Sequence, residues 1–346
     1  MVKGYIDTDT GEIPVIDTKL CRKDILGSWK VRWNIARMEY KIKPGVYAVG
    51  NPDKTSPVLV SANYKLSFDM LRQELAGLNV WIMVIDTNGI NVWCAAGKGT
   101  FGTQEILNRI KSVRLSEIVT HKEIILPQLG APGVSGSILK RLSGFKVIYG
   151  PIYAKDIKAF FISGMKADKE MRSVKFTLMD RLILTPVELV SSFKILFITL
   201  LILFAANLIH KGNFNFFTTI STTLLNFIPY LGSALIGCII VPILLPFIPG
   251  SAFSWKGFIV GLLWALYVSI FPAQFAVEPN IIFKLATILT IPALSSYFAL
   301  NFTGCTTYTS LSGVNKEMKI ALPGIIISLS FGILLVFAGK IIELLH

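Results

Sequence analysis

The sequence predicts two fold classes in series: an α/β Rossmann-like domain, then an all-α transmembrane domain of about five helices. Three observations carry this expectation. Residues 1–186 hold 27 Lys and Arg with 17 Asp and Glu, whereas residues 187–346 hold only 7 and 4. Apolar runs near the ~20 residues needed to cross a bilayer fill the second half. In the first half, short apolar runs bounded by Gly, Pro and Asn alternate with segments of helical period. The expected divisions are an N-terminal extension over 1–45, an α/β domain over 46–180 and a membrane domain over 187–346.

Residues 1–45 are charged and lack a clear period, which reads as an irregular extension on the domain surface. The runs at 46–49 and 57–61 read as strands, and 66–75 has helical spacing that stops at Gly77. Residues 80–85 form a continuous apolar run, as a strand buried on both faces would. A turn-rich loop at 86–89 leads into Asn91-Val92-Trp93-Cys94-Ala95-Ala96-Gly97-Lys98. Thr103 is placed to cap a helix over 104–110. Then come a strand at 123–126, a loop at 127–133, a helix over about 134–142, a strand at 145–149 and a helix over about 154–163. This alternation implies a parallel sheet covered on both faces, with ligands outside the carboxyl ends of its strands. The loops 61–64, 86–98 and 128–133 all leave such ends, so they are expected to converge on one site.

In the second half, spans are expected at about 187–209, 228–248, 256–276, 281–300 and 320–343. Thr185-Pro186-Val187-Glu188 has the pattern of a capping box opening the first. The second is the least regular, because Gly232, Gly237, Pro242 and Pro246 interrupt it. No apolar run begins the chain, so no signal peptide is expected. The expected location is the cell membrane, with the soluble domain cytoplasmic and the 301–319 loop returning to that side. The net charge of +13 is spread over single Lys and Arg residues rather than blocks. That distribution argues for an anionic lipid surface and against nucleic acid.

The four cysteines, Cys21, Cys94, Cys238 and Cys305, are far apart in sequence. They provide no zinc or iron–sulfur spacing, so any electrons the chemistry needs must come from a partner. Cys94 is set among small residues that let a large planar group approach the backbone, with Trp93 screening it from water. Three readings stand for it: a buried small hydrophobe, a catalytic thiol, or a contact to a ligand or soft metal. A catalytic thiol wants a base, and His121 is the histidine available to it in the first half. Gly97, Gly99 and Gly102 serve close approach rather than phosphate binding, because no Walker or dinucleotide pattern accompanies them.

The stretch from Asn91 to Lys98 resembles the cap-helix motif of the HgcA family, the membrane corrinoid proteins of microbial mercury methylation. The likeness continues through Gly99-Thr100-Phe101-Gly102-Thr103, through 126–133, and at Tyr149-Gly150-Pro151. It resumes at Asn301-Phe302-Thr303-Gly304 and Ser312-Gly313-Val314, so it covers roughly residues 45–343. Outside the cysteine motif, the same stretches also look like the corrinoid subunit of the acetyl-CoA pathway. That relative is soluble and carries a cysteine-rich cluster segment, two features this sequence departs from.

The resemblance implies a cobalamin-like corrinoid held base-off, with the Cys94 thiolate as lower axial ligand of cobalt. The stretch Val119-Thr120-His121-Lys122-Glu123 does not match the Asp-x-His-x-x-Gly pattern of corrinoid domains that supply histidine. Thiolate is a soft, strongly donating ligand and suits a late transition metal. The cofactor-binding set it implies is Ser61, Asn63, Thr87, the eight residues Asn91, Val92, Trp93, Cys94, Ala95, Ala96, Gly97 and Lys98, and Gln128, Leu129 and Gly130. For Ser61, Asn63, Thr87 and Asn91 the competing role is that of ordinary turn residues at strand ends. The implied activity is methyl transfer to inorganic Hg(II). The implied partners are a dicluster [4Fe-4S] ferredoxin-like reductant of the HgcB type, a methyl-donating methyltransferase and membrane lipid. Cys238 reads as packing, and Cys305 as a polar-loop residue for which an Hg(II) contact is conceivable. Two alternatives stay open: a corrinoid carrier for another acceptor, and a transport or sensing protein whose soluble domain only binds a ligand.

Overall fold

Seven strands and seven α-helices build the first half: β1 (Val2–Thr8), β2 (Gly11–Ile16), α1 (Arg22–Arg32), β3 (Gly45–Val49), β4 (Val58–Ala62), α2 (Lys65–Glu74), β5 (Val80–Ile85), α3 (Val92–Lys98), α4 (Thr103–Ser112), α5 (Leu115–Ile118), β6 (Glu123–Leu126), α6 (Gly136–Ser143), β7 (Lys146–Tyr149) and α7 (Ile157–Ile162). The computed structural model describes residues 1–210, 215–306, 309 and 311–345, and it divides into two units, Met1–Lys175 and Phe176–His346. The Cys305 side chain, Thr307 and Ser310 lie outside the described residues.

The strands form one sheet of seven in the order β1-β2-β3-β5-β4-β6-β7. The run β5-β4-β6-β7 is parallel throughout, which gives the Rossmann-like half of the fold expected from the alternation. Its order reverses between β4 and β6, the kind of switch point where doubly wound sheets open a crevice. Successive side chains along the strands alternate between two cores. Val60, Met83 and Leu126 join the helices α4, α5 and α6 on one face, while Leu59, Ile82 and Ile125 join α2 and α7 on the other. Both faces are therefore dry, which explains the unbroken apolar run of β5.

The sheet is mixed rather than parallel. β3 pairs antiparallel with β5, from Gly45 opposite Val84 to Val49 opposite Val80. Residues 50–57 alone join β3 to β4. A crossover between parallel strands needs about a dozen residues, so this connection is too short for one. The extension is also not irregular. β1 and β2 form an antiparallel hairpin attached to the sheet by a parallel bridge between Val15 and Ala48. α1 is then fixed to α2 by a buried ion cluster. Arg72, with no exposure, pairs with Asp24 and Asp69 at 2.7 Å each and bonds the Asp17 and Lys19 carbonyls. Lys65 bridges the same two carboxylates at 2.6 and 2.5 Å.

The second unit is helical: α8 (Leu178–Leu182), α9 (Thr185–Asn207), α10 (Phe216–Leu235), the short α11 (Val241–Ile243), α12 (Phe253–Ile270), α13 (Ile281–Asn301) and α14 (Leu311–Leu345). Among the described residues, five helical stretches are long and apolar enough to cross a membrane. The second begins at Phe216, well before the expected 228, and continues through Pro229 into a π-helical turn at Ile236–Ile240 instead of breaking. Thr185 donates its hydroxyl to the Leu182 carbonyl and caps nothing; the capping box lies at Thr177 and Asp180, one helix earlier. Half of the expected 301–319 loop is helical, because α14 starts at Leu311. α13 is the centre of this unit, with 61% of its apolar window buried against 11% for α14. A Cβ on Gly257 of α12 would lie 2.5 Å from the Ser295 carbonyl oxygen, so small residues let α12 and α13 touch.

Candidate functional site

The carboxyl ends of β4, β5 and β6 carry the three loops that the sequence sends to one place. Asn63, immediately after β4, ties two strand ends together. Its Nδ2 donates to Asp86 Oδ1 at 2.9 Å, and its Oδ1 accepts from the Thr87 N–H, the Thr87 hydroxyl and the Gly89 N–H at 2.9–3.0 Å. The single Thr87 hydroxyl proton is shared between Asn63 Oδ1 and the Ile90 carbonyl, which is the nearer at 2.7 Å. Asn63 and Thr87 are buried and spend these bonds inside the protein. Ser61 is buried too, with a long 3.4 Å bond to the Ala62 carbonyl. These three build the platform from which the next helix starts.

That helix is α3. Asn91 is its N-cap, accepting the Cys94 N–H on Oδ1 at 2.9 Å, which satisfies one of the free donors of the first turn. Gly99 ends it at φ +81°, a left-handed conformation suited to glycine. Ala95 and Ala96 face inward, while Val92, Trp93 and Cys94 are half-buried and Gly97 and Lys98 exposed. α3 rests on the 3₁₀ turn Gln128–Gly133 that follows β6. A Cβ on Gly133 would stand 2.2 Å from the Phe101 carbonyl oxygen and 3.1 Å from the Ala96 Cα, and one on Gly130 would stand 2.5 Å from the Phe101 ring. Glycine at both positions lets the turn and the helix meet without a gap. Thr103 does not cap α4. Gly102 does, and the Thr103 hydroxyl accepts the Ser135 N–H at 2.8 Å.

Cys94 is a free, half-buried thiol on the first turn of α3. Burial pushes it above the ordinary cysteine value, and the Asn91 side chain, the Lys98 ammonium and the Arg37 guanidinium draw it part of the way back. His121 is on the other edge of the sheet. It precedes β6, and its Nε2 lies 2.9 Å from the Ser56 carbonyl oxygen, ahead of β4. A five-residue strand spans roughly 17 Å, so His121 does not serve Cys94 as a base.

Sequence reasoning missed one wall of this site. Residues 37–42 run along the β4 and β5 loops: the Ile42 N–H donates to the Asn63 carbonyl, the Lys65 N–H to the Tyr40 carbonyl, and the Met38 carbonyl stands against Gly89. They bring Arg37 over the Tyr64 ring at 5.8 Å. Tyr64 is 4% exposed, and burial raises its phenol above the usual value despite Arg37 and Arg32. Its hydroxyl has no hydrogen-bond partner, and neither has the buried Oε1 of Gln128. A buried polar atom without a partner costs about 1–3 kcal/mol, so two of them at the ends of adjacent strands ask for a ligand. A ligand bearing carboxamide groups fits both, giving N–H to Gln128 and accepting from Tyr64. Among the described residues no three His, Cys, Asp or Glu side chains gather as metal ligands. A metal facing Cys94 would therefore arrive with most of its ligands already in place. The signal for Tyr64 was its position in the 61–64 loop; nothing in the sequence marked Arg37.

Residues 26–161 match the family model of the CO dehydrogenase/acetyl-CoA synthase delta subunit. The chain is 29% identical over 136 residues to the corrinoid/iron-sulfur protein large subunit of Moorella thermoacetica, which covers 38% of this chain and 30% of that one. It is 29% identical over 126 residues to the acetyl-CoA decarbonylase/synthase complex subunit gamma of Methanopyrus kandleri, covering 36% and 27%. It is 33% identical over 97 residues to the same subunit of Methanocaldococcus jannaschii, covering 28% and 20%. The chain thus spans less than a third of the length of these relatives. The kinship with corrinoid proteins of the acetyl-CoA pathway expected from the sequence is borne out, and the matched region starts inside α1, upstream of the expected residue 45.

Proposed function

We propose that this protein is a membrane-anchored corrinoid methyl carrier that delivers a methyl group to inorganic Hg(II), with the Cys94 thiolate as lower axial ligand of cobalt. The observation that supports the site is a half-exposed Cys94 at the same sheet edge as two orphaned buried polar atoms, in a region similar to a corrinoid/iron-sulfur protein subunit. The corrinoid, when bound, supplies a cobalt centre able to accept and release a methyl group. Cys94 gives up its proton to solvent and offers its sulfur to the metal. Lys98 and Arg37 lower the cost of the resulting negative charge. Gln128 and Tyr64 would hold carboxamide groups of the corrinoid, and Trp93 would limit water at the sulfur. Asn63, Thr87 and Asn91 act through the backbone that carries Cys94. A thiolate here would be a soft, strongly donating ligand suited to the metal of a bound corrinoid.

The cysteines lack cluster spacing, so a ferredoxin-like dicluster protein is the proposed reductant, and a separate methyltransferase the methyl source. The five apolar helices hold the carrier in the cell membrane with its soluble unit in the cytoplasm. The resemblance to complex subunits of the acetyl-CoA pathway favours a second reading, in which the same carrier serves a non-mercury acceptor.

The test is to load the purified protein with cobalamin. A cobalt–sulfur band should appear in the visible spectrum and be lost in Cys94→Ala, together with methylmercury formation from Hg(II). A Cys94→Ala protein that keeps both sinks the proposal. A protein that keeps the band but never methylates Hg(II) moves it to the second reading.

A further inference from the structure

α1 buries one apolar side chain, Val31, and one carboxylate, Asp24, which reaches Arg72 and Lys65. Its outward face is apolar: Ile25, Leu26, Trp29 and Trp33 are 43–62% exposed, and Ile35 and Met38 extend the patch at 55% and 59%. With 3.6 residues per turn, Ile25, Leu26 and Trp29 fall on one stripe, which the C-cap residue Trp33 continues. Arg22 is exposed on that stripe and Lys23 and Lys30 are exposed beside it, whereas Arg32 is half-buried near Tyr64. Residues 19–43 hold eight basic and two acidic side chains, and one of the acidic pair, Asp24, is consumed inside the ion cluster.

We infer that the outward face of α1 is a membrane-docking surface that beds into an anionic lipid leaflet. Leu, Ile and Trp along the exposed line of a helix, edged by Lys and Arg, match the headgroup boundary of a bilayer, where apolar side chains go in and cations meet lipid phosphate. A single convex helix offers no groove for a peptide. Beyond Lys175 the chain passes within a short segment into the first of its five apolar helices, so lipid is always within reach. Weak interfacial affinity is enough under such tethering. α1 leads directly into residues 37–42, which wall the Cys94 site, so docking would bring that edge of the sheet close to the leaflet. The inference rests on the membrane reading of the second unit and not on corrinoid chemistry.

The test uses the full chain in lipid nanodiscs, whose co-purification with the protein separately reports membrane insertion. Emission from Trp29 and Trp33 is isolated as the difference between the native chain and Trp29→Phe/Trp33→Phe. In discs of phosphatidylcholine with about one-third phosphatidylglycerol, doxyl-labelled lipid should quench that component, and aqueous acrylamide should not. Phosphatidylcholine alone should weaken the lipid quenching. Ile25→Glu/Leu26→Glu, which keeps both tryptophans and alters only exposed positions, should abolish it and restore acrylamide access. Full acrylamide access in the native chain overturns the inference. Shielding from acrylamide without lipid quenching also overturns it, because a protein surface then covers the face.

Discussion

The two edges of one sheet differ in how completely their polar groups are satisfied. At the amino edge, Asp53 accepts from the Thr55 N–H, the Thr55 hydroxyl and the Ser56 hydroxyl, the Trp81 indole donates to the Asp53 carbonyl, and His121 meets the Ser56 carbonyl. At the carboxyl edge, Asn63 and Asn91 are equally well bonded, yet the Tyr64 hydroxyl and the Gln128 Oε1 are buried without partners on the edge that also carries a half-exposed thiol. A closed network holds the fold together, whereas a network with open valences in a dry place is built for something that comes later.

The largest test of this contrast sets His121→Ala against Cys94→Ala. Removing the imidazole should leave the cobalt–sulfur band unchanged, while removing the thiol should erase it; a band that needs His121 would reverse the assignment of the edges. Next is Asn63→Leu, which leaves the buried Thr87 and Gly89 N–H groups without an acceptor and should cost about 3 kcal/mol, read as a lower denaturation midpoint with poor cofactor uptake. Tyr64→Phe and Gln128→Leu should do the opposite to the empty protein. Each deletes an orphaned polar atom, so stability should hold or rise, while corrinoid affinity falls by about tenfold, one hydrogen bond's worth. Lower stability in either variant would mean that its polar atom already has work in the empty fold. Smallest is Asn91→Ala, at about 1 kcal/mol for a lost helix cap.

The same Asn91 variant sharpens the pH behaviour. The Cys94 thiol titrates above its ordinary value, so its contribution to the stability of the cofactor-free fold is whole below that value and lost as pH rises through the raised one. Ligation runs the other way, since sulfur must shed its proton first: the cobalt–sulfur band should strengthen as pH rises toward the raised thiol value. Losing the Asn91 contact should shift that rise toward higher pH.

Legibility in the sequence followed burial. β5 and β6 lie under helices, so their apolar runs were plain, and the spans of the second half were plain for the same reason. The hairpin β1–β2 is an edge structure with many exposed positions and little periodicity to read. α1 was hidden because it buries a carboxylate beside a single apolar side chain, Val31, and leaves its tryptophans pointing out. The antiparallel β3 was legible in principle from the short 50–57 connection, which no parallel crossover could use. At the site, the convergence of three loops followed from strand order alone. That Asn63 and Thr87 would turn inward, and that Arg37 would arrive from outside the alternating pattern, depended on side-chain geometry that spacing does not encode.

The Arg72 cluster also has a consequence for synthesis. α1 ends at Arg32, but the guanidinium that neutralises Asp24 is forty residues further along the chain. At roughly 5–20 residues per second, translation leaves α1 without its anchor for some seconds. During that interval its apolar stripe is already complete while its inward carboxylate has no guanidinium to meet. A nascent chain arrested before Lys65 and Arg72 should therefore adhere through α1 to whatever apolar surface is nearest, and the arrival of those two cations fixes α1 ahead of the residues 37–42 that wall the Cys94 site.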